Sequence, residues 1–182
     1  MKAVFYPRTC KESALTIVDR MVYSQVLFRS LWDAGKETFE EGEFSITNYT
    51  DWSQGLVPLG YTITSCIATS LNISRAQYFL SCKRLREMGY ITQEGVILLD
   101  GVTDSFFELH TESGLSGLSL IVYSYLVNKT REYGWVDKYH AAIAKELGIK
   151  DVRTLQRILA DLKKSGLIQT KIKWRQTLLR AI

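Results

Sequence analysis

The chain has few of the residues that mark disulfide scaffolds, metal sites or membrane spans. Its three cysteines, Cys10, Cys66 and Cys82, show no C-x-x-C spacing. An odd count of that kind argues against a disulfide framework and fits a reducing compartment. The two histidines, His110 and His140, lie in different parts of the chain without metal-ligand spacing. Two prolines and no low-complexity tract leave little room for a disordered tail. The longest apolar stretch, Leu118 to Val127, includes Ser and Tyr and is about half the ~20 residues a membrane span needs. The amino terminus, MKAVFYPRT, lacks the long apolar segment of a signal peptide, so a cytoplasmic location without a membrane partner is expected. Gly35-Lys36-Glu37-Thr38 has a superficial likeness to a phosphate loop, but the upstream glycine and the Gly-Lys-Ser/Thr run are missing. No Ser/His/Asp or paired-carboxylate constellation follows from spacing. The expectation is a non-enzyme with no metal and no cofactor.

What the chain does have is repetition. Leu15 to Ser30 reads LTIVDRMVYSQVLFRS, and one hundred residues later Leu115 to Thr130 reads LSGLSLIVYSYLVNKT. Val22-Tyr23-Ser24 recurs as Val122-Tyr123-Ser124. Further on, Ile67 to Ile91 matches Ile143 to Ile168, with one extra residue in the second copy. A duplicated unit of this length implies two small similar domains, 1–101 and 102–182. With 46% apolar residues, the chain can bury one fair-sized core or two small ones.

Each copy reads as the same series of elements. A short β-rich segment (Val4-Phe5-Tyr6; Phe106-Phe107) precedes a long helix, predicted over about Thr16 to Trp32 and Ser116 to Thr130. A second helix covers about Ser65 to Leu71 or Lys138 to Leu147, where Asp137 is a plausible N-cap. A tight turn follows, Asn72-Ile73-Ser74 or Gly148-Ile149-Lys150-Asp151, in which Asn and Gly tolerate positive φ. A third helix runs to Gly89 or Gly166, each expected at C′. Tyr90-Ile91 and Leu167-Ile168 then open a β-ribbon.

Counting back four, seven and eleven residues from each stop glycine gives Leu85, Cys82 and Tyr78, then Leu162, Leu159 and Leu155. These lie on one face and should pack inward. The other face of the later helix carries Arg153, Thr154, Gln156, Arg157 and Lys164. In a major groove, Arg can fork onto guanine and Gln onto adenine. Neutralising phosphates, or pairing with Asp161 on the helix surface, are the blander roles. The earlier helix offers Arg75, Gln77, Lys83 and Arg84, together with Phe79 and Leu80. For that apolar pair core packing is the first reading, and a thymine-methyl or dimer contact the alternative.

Charge is unevenly placed. Residues 1–101 carry 10 Lys/Arg and 11 Asp/Glu, net −1; residues 102–182 carry 13 and 8, net +5. From Lys150 to Ile182 there are nine basic residues and two acids. That concentration is the footprint of a polyanion-binding face. The second ribbon alternates Lys171, Lys173 and Arg175 with Ile172 and Trp174, which puts cations on one side of a strand and apolar groups on the other. Core packing is the first reading for Trp174. The first ribbon, Ile91 to Leu98 with a Glu94-Gly95 turn, is short, not basic and expected to be structural. An acidic insert at about 34–60, absent from the second copy, carries Glu37, Glu40, Glu41, Glu43 and Asp51. Its charge disfavours DNA contact. An ordered lid over the core is the first reading of it, and a surface for a protein partner the second.

The paired long helices, each followed by an Ile-Ala-x-x-Leu-x-Ile turn and an L-x-x-x-G-[YL]-I ending, resemble winged helix-turn-helix domains. The nearest likeness is to the domains of phage and plasmid replication initiators, and more loosely to bacterial transcription regulators. The resemblance implies an α+β, mainly α, fold of two winged helices in tandem. It implies a double-stranded DNA-binding protein, monomer or weak homodimer, reading an asymmetric or two-part site in replication initiation or transcription control. A winged-helix protein-interaction module is the alternative.

Overall fold

The computed structural model describes residues 3–7, 15–40, 56–58, 66–91, 96–98, 106–173 and 176–182. The architecture is α+β and mainly helical. In chain order the elements are β1 (Ala3–Phe5), α1 (Ile17–Glu40), β2 (Leu56–Pro58), α2 (Cys66–Ser70), α3 (Arg75–Glu87), β3 (Val96–Leu98), β4 (Phe107–Leu109), α4 (Gly117–Tyr133), α5 (His140–Leu147), α6 (Val152–Lys164), β5 (Ile168–Lys173) and β6 (Gln176–Ala181). The described strands form three antiparallel pairs, β1–β4, β2–β3 and β5–β6. Among the described residues no helix is long and apolar enough to cross a membrane.

Helix α1 starts where the chain supplies a cap. Thr16 and Asp19 close a reciprocal box: the Thr16 amide donates to Asp19 Oδ2 at 2.8 Å, and the Asp19 amide donates to Thr16 Oγ1 at 3.3 Å. The helix they open continues to Glu40, beyond the expected stop near Trp32. Gly35 to Thr38 are therefore helical, which removes the phosphate-loop likeness. Residues 34–40 of the acidic insert extend α1 past the position that matches the end of α4 at Tyr133, and 56–58 form β2. The rest of the insert, with the lid reading attached to it, lies outside the described residues.

The turn between the second and third helices has the same hydrogen bonds in both halves. Ile73 N donates to Ala68 O and Asn72 N to Thr69 O, at 3.1 and 3.2 Å; Ile149 N donates to Ala144 O and Gly148 N to Lys145 O, at 2.8 and 3.2 Å. Asn72 and Gly148 sit at φ +53° and +67°, the left-handed region that Asn and Gly enter most readily. The extra residue of the second half is Lys150, placed between this turn and the cap of α6. Ser74 caps α3 in a box with Gln77, and Asp151 caps α6 by accepting from Arg153 N. Both helices end alike: Tyr90 N reaches Leu85 O at 2.9 Å, and Leu167 N reaches Leu162 O at 3.0 Å, across Gly89 and Gly166.

One start was misplaced in the sequence. Helix α5 begins at His140 with Tyr139 at its N-cap, so neither Lys138 as first helical residue nor Asp137 as cap holds. The cause is upstream: Val136 exchanges two backbone hydrogen bonds with Leu179, of 2.7 and 3.1 Å, and keeps the chain extended. The first half has a like arrangement, where β2, preceding the second helix, pairs with β3. Glu94-Gly95, the expected turn of the first ribbon, lies outside the described residues.

The halves are joined by their leading strands. In the β1–β4 ladder Ala3 faces Leu109, Val4 faces Glu108 and Phe5 faces Phe107. Tyr6 N donates to Ser24 Oγ at 3.1 Å, and His110 N donates to Ser124 Oγ at 2.8 Å. The two serines of the recurring Val-Tyr-Ser thus do the same work, and they put Tyr6 and His110 in equivalent places. On that equivalence Val4 pairs with its own counterpart, Glu108, and the ladder has two-fold register. Buried residues of both halves merge into one core, including Phe5, Met21, Val22, Tyr23, Leu71 and Leu85 from the first and Leu120, Ile121, Leu126, Leu147, Leu155 and Leu162 from the second.

Candidate nucleic-acid interface

Helix α6 is sharply two-sided. Leu155, Ile158, Leu159 and Leu162 are buried, while Arg153, Gln156, Arg157, Lys163 and Lys164 are exposed and Thr154 is half-buried. The inward trio expected from spacing is present, and so is its counterpart Tyr78, Cys82 and Leu85 in α3. Burial pushes the Cys82 thiol above its ordinary range, as suits a small core residue rather than a nucleophile.

The cations of α6 are not tied down. Among the described residues neither Arg153 nor Arg157 pairs with Asp161; Arg157 Nη2 instead reaches Thr154 Oγ1 at 3.5 Å. The hairpin that follows extends the charge. Lys171 and Lys173 of β5 are exposed. Lys171 Nζ stands 5.7 Å from the centre of the Trp135 ring and Arg180 Cζ 5.9 Å from it. The indole thereby steadies two cations and leaves both residues exposed. Arg180 belongs to the same surface, although its spacing in the sequence did not single it out. Arg175 and Trp174 lie outside the described residues. The two-sided strand does not hold at its tip, because Ile172 is 79% exposed; the hairpin projects beyond the core there.

The first half presents a different face. Gln77 Oε1 accepts from Ser74 N at 3.0 Å and is spent on the cap. Lys83 faces Glu87 at 3.7 Å. Arg84 donates from Nε and Nη2 to Asp19 Oδ1, at 3.1 and 2.7 Å. Of the four polar residues expected to read DNA there, Arg75 alone has no intramolecular partner among the described residues. Phe79 and Leu80 are 53% and 51% exposed, so core packing, the first reading for both, is overturned. The inward face of α3 is already filled by Tyr78, Ser81, Cys82 and Leu85.

Two buried charged residues escaped the sequence reading. Asp19 and Arg20 are both buried in α1. Burial pushes the Asp19 carboxyl upward, but hydrogen bonds from Arg84, Ser81 and Thr16 outweigh it and hold the group below its usual range. Arg20 donates from Nη1 to Leu147 O at 3.2 Å and from Nη2 to Pro7 O at 3.1 Å, with its guanidinium 5.2 Å from the Phe5 ring centre. The available signal was a break in the repeat, since the aligned residues of the second copy are Ser119 and Leu120.

A second polar cluster lies beside α4. Lys138 Nζ contacts Glu146 Oε2 at 2.6 Å, and Tyr125 Oη donates to the same oxygen at 3.0 Å. It ties the extended segment before α5 to α4 and α5, and so fixes the framework behind the α5–α6 turn. No family, no curated protein and no solved structure matches the chain.

Proposed function

We propose that this chain binds double-stranded DNA through two winged helix-turn-helix units in tandem, residues 1–101 and 102–182, with the second supplying most of the affinity. One observation carries the reading. Six cations of α6 and β5, Arg153, Arg157, Lys163, Lys164, Lys171 and Lys173, are exposed without an acidic partner among the described residues, on a helix whose opposite face is core. An α-helix fits the major groove, and a basic hairpin beside it can follow the phosphate backbone. The first unit, where Lys83 and Arg84 are engaged internally and Arg75 alone of the expected cations is not, would add register more than charge. Joining two unlike readers raises the effective concentration of the second once the first is bound, and suits an asymmetric or two-part site. Such a protein would act in replication initiation or transcription control of a mobile element or bacterial genome.

The direct test is anisotropy of a labelled random-sequence duplex titrated with protein at about 50 and 200 mM salt, the range over which phosphate contacts lose most of their affinity. Salt-sensitive binding is expected; no binding at either salt would overturn the reading. A second reading, a winged-helix protein-interaction module, is favoured by the exposed Phe79 and Leu80 on α3. It predicts indifference to duplex and a partner lost on replacing those two residues.

A further inference from the structure

We infer that Asp19 and Arg20, adjacent on α1, form a clamp that sets the relative orientation of α3 and the α5–α6 turn, and with it the spacing between the two DNA-reading helices. The inference rests on the proposed reading for its DNA consequence, but its structural part stands without DNA.

Asp19 and Arg20 act in opposite directions. Both carboxylate oxygens of Asp19 are used: Oδ2 accepts from the Thr16 amide and hydroxyl at 2.8 and 2.7 Å, and Oδ1 accepts from Arg84. The first pair fixes the carboxylate on the opening turn of α1. The second fixes Arg84, and hence α3, upon that helix. A carboxylate with no exposed side-chain surface, facing a guanidinium that is 35% exposed, strongly resists loss of its partner.

Arg20 reaches the other half. Leu147 O is the last carbonyl of α5, at the negative end of that helix, and Gly148 begins the turn into α6. The guanidinium fork spans from this carbonyl to Pro7 O beside β1, so one side chain holds the turn and the inter-strand joint together. The fit is close: a Cβ on Gly148 would stand 2.8 Å from Arg20 Nη1. Gly148 thus serves both the positive φ of the turn and the approach of the arginine. The β1–β4 ladder and the α1–α4 packing also join the halves. Arg20 makes the link at the turn that aims α6. The second copy has Ser119 and Leu120 at these positions, so the clamp belongs to one half alone and breaks the two-fold symmetry.

The test reads orientation in the full chain. Ketone-bearing residues replace the exposed Glu87 at the end of α3 and Asp161 on α6, and a hydroxylamine nitroxide labels them without touching the native cysteines. Pulsed electron-spin distance measurement should give a single narrow distribution. Arg20→Met and Arg84→Met should each broaden or shift it while thermal unfolding stays cooperative. Arg20→Lys should behave like Arg20→Met, because an ammonium cannot reproduce the fork. If Arg20→Met does not fold, Arg20→Gln removes the guanidinium fork while keeping a polar side chain, and Arg84→Met tests the other arm. An unchanged distribution in the folded variants of either arm would overturn the clamp. On duplexes carrying both half-sites at varied separation, wild type should prefer one separation and Arg20→Met should accept several. Failure of wild type to bind any duplex would refute the DNA reading while leaving the distance arm to judge the clamp.

Discussion

Replacing Arg153, Arg157 and Lys164 together by glutamine removes half of the six exposed cations on α6 and β5 that have no acidic partner among the described residues. None of the three points into the core, and the buried row of Leu155, Ile158, Leu159 and Leu162 is untouched, so the fold should survive. Each phosphate neutralised contributes about 0.9 to the slope of log affinity against log salt. If all six cations meet phosphates, the wild-type slope is roughly −5, a loss on the order of 10³-fold between about 50 and 200 mM salt. The triple variant should then show a slope near −2.7 and a loss of only about 40-fold over the same range. Fluorescence anisotropy on one duplex at four or more salt concentrations measures both. The paired control is Arg75→Gln with Lys83→Gln in α3. There Lys83 already faces Glu87, so the slope should change by less than in the triple variant. Equal slopes for wild type and triple variant would remove α6 from the interface. A larger change from the α3 pair would move the interface to the first half.

Three further outcomes follow from the framework. Asp19 has a folded pKa below its unfolded value, so its stabilisation is complete above about pH 4 and is lost as pH falls through the folded value. Urea midpoints should therefore drop more steeply between neutral pH and about pH 3 in wild type than in Asp19→Asn, and parallel curves would contradict the assignment. Ser124→Ala leaves the buried His110 amide without its 2.8 Å acceptor and should cost about 1–3 kcal/mol in chemical denaturation; a change under about 0.5 kcal/mol would show that water or another group takes over. Phe79→Ser with Leu80→Ser removes exposed apolar surface and should leave both unfolding and duplex affinity nearly alone. A marked loss of duplex affinity there would bring the first half's helix into the DNA contact.

The repeated parts of the fold were legible because they rest on local rules. The stop glycines Gly89 and Gly166 and the turn residues Asn72 and Gly148 take the positive φ that their types favour. The inward rows of α3 and α6 follow from helical spacing. What escaped depended on distant partners. Asp137 looked like a cap, but the bridge from Val136 to Leu179, over forty residues away in sequence, holds the chain extended past it. Helix α1 passes Trp32 with no local stop, and spacing could not mark the place where it ends. Phe79 and Leu80 looked like core residues because composition cannot tell which apolar face of a short helix is already filled. Arg84 had the right type and position for a DNA contact, and only the fold reveals the Asp19 carboxylate waiting 2.7 Å away. The cations of α6 and β5 were legible as a charge concentration, while the role of Trp135 beneath Lys171 and Arg180 required the strand pairing.

The most direct measurement is selection of the purified full chain against a random duplex pool at about physiological salt, where purely non-specific binding is weak, ~10⁻⁴–10⁻⁶ M. The account predicts enrichment of two unequal half-sites at one preferred separation, with the stronger half lost in the Arg153, Arg157 and Lys164 variant. A pool that shows no enrichment would contradict a two-headed sequence reader.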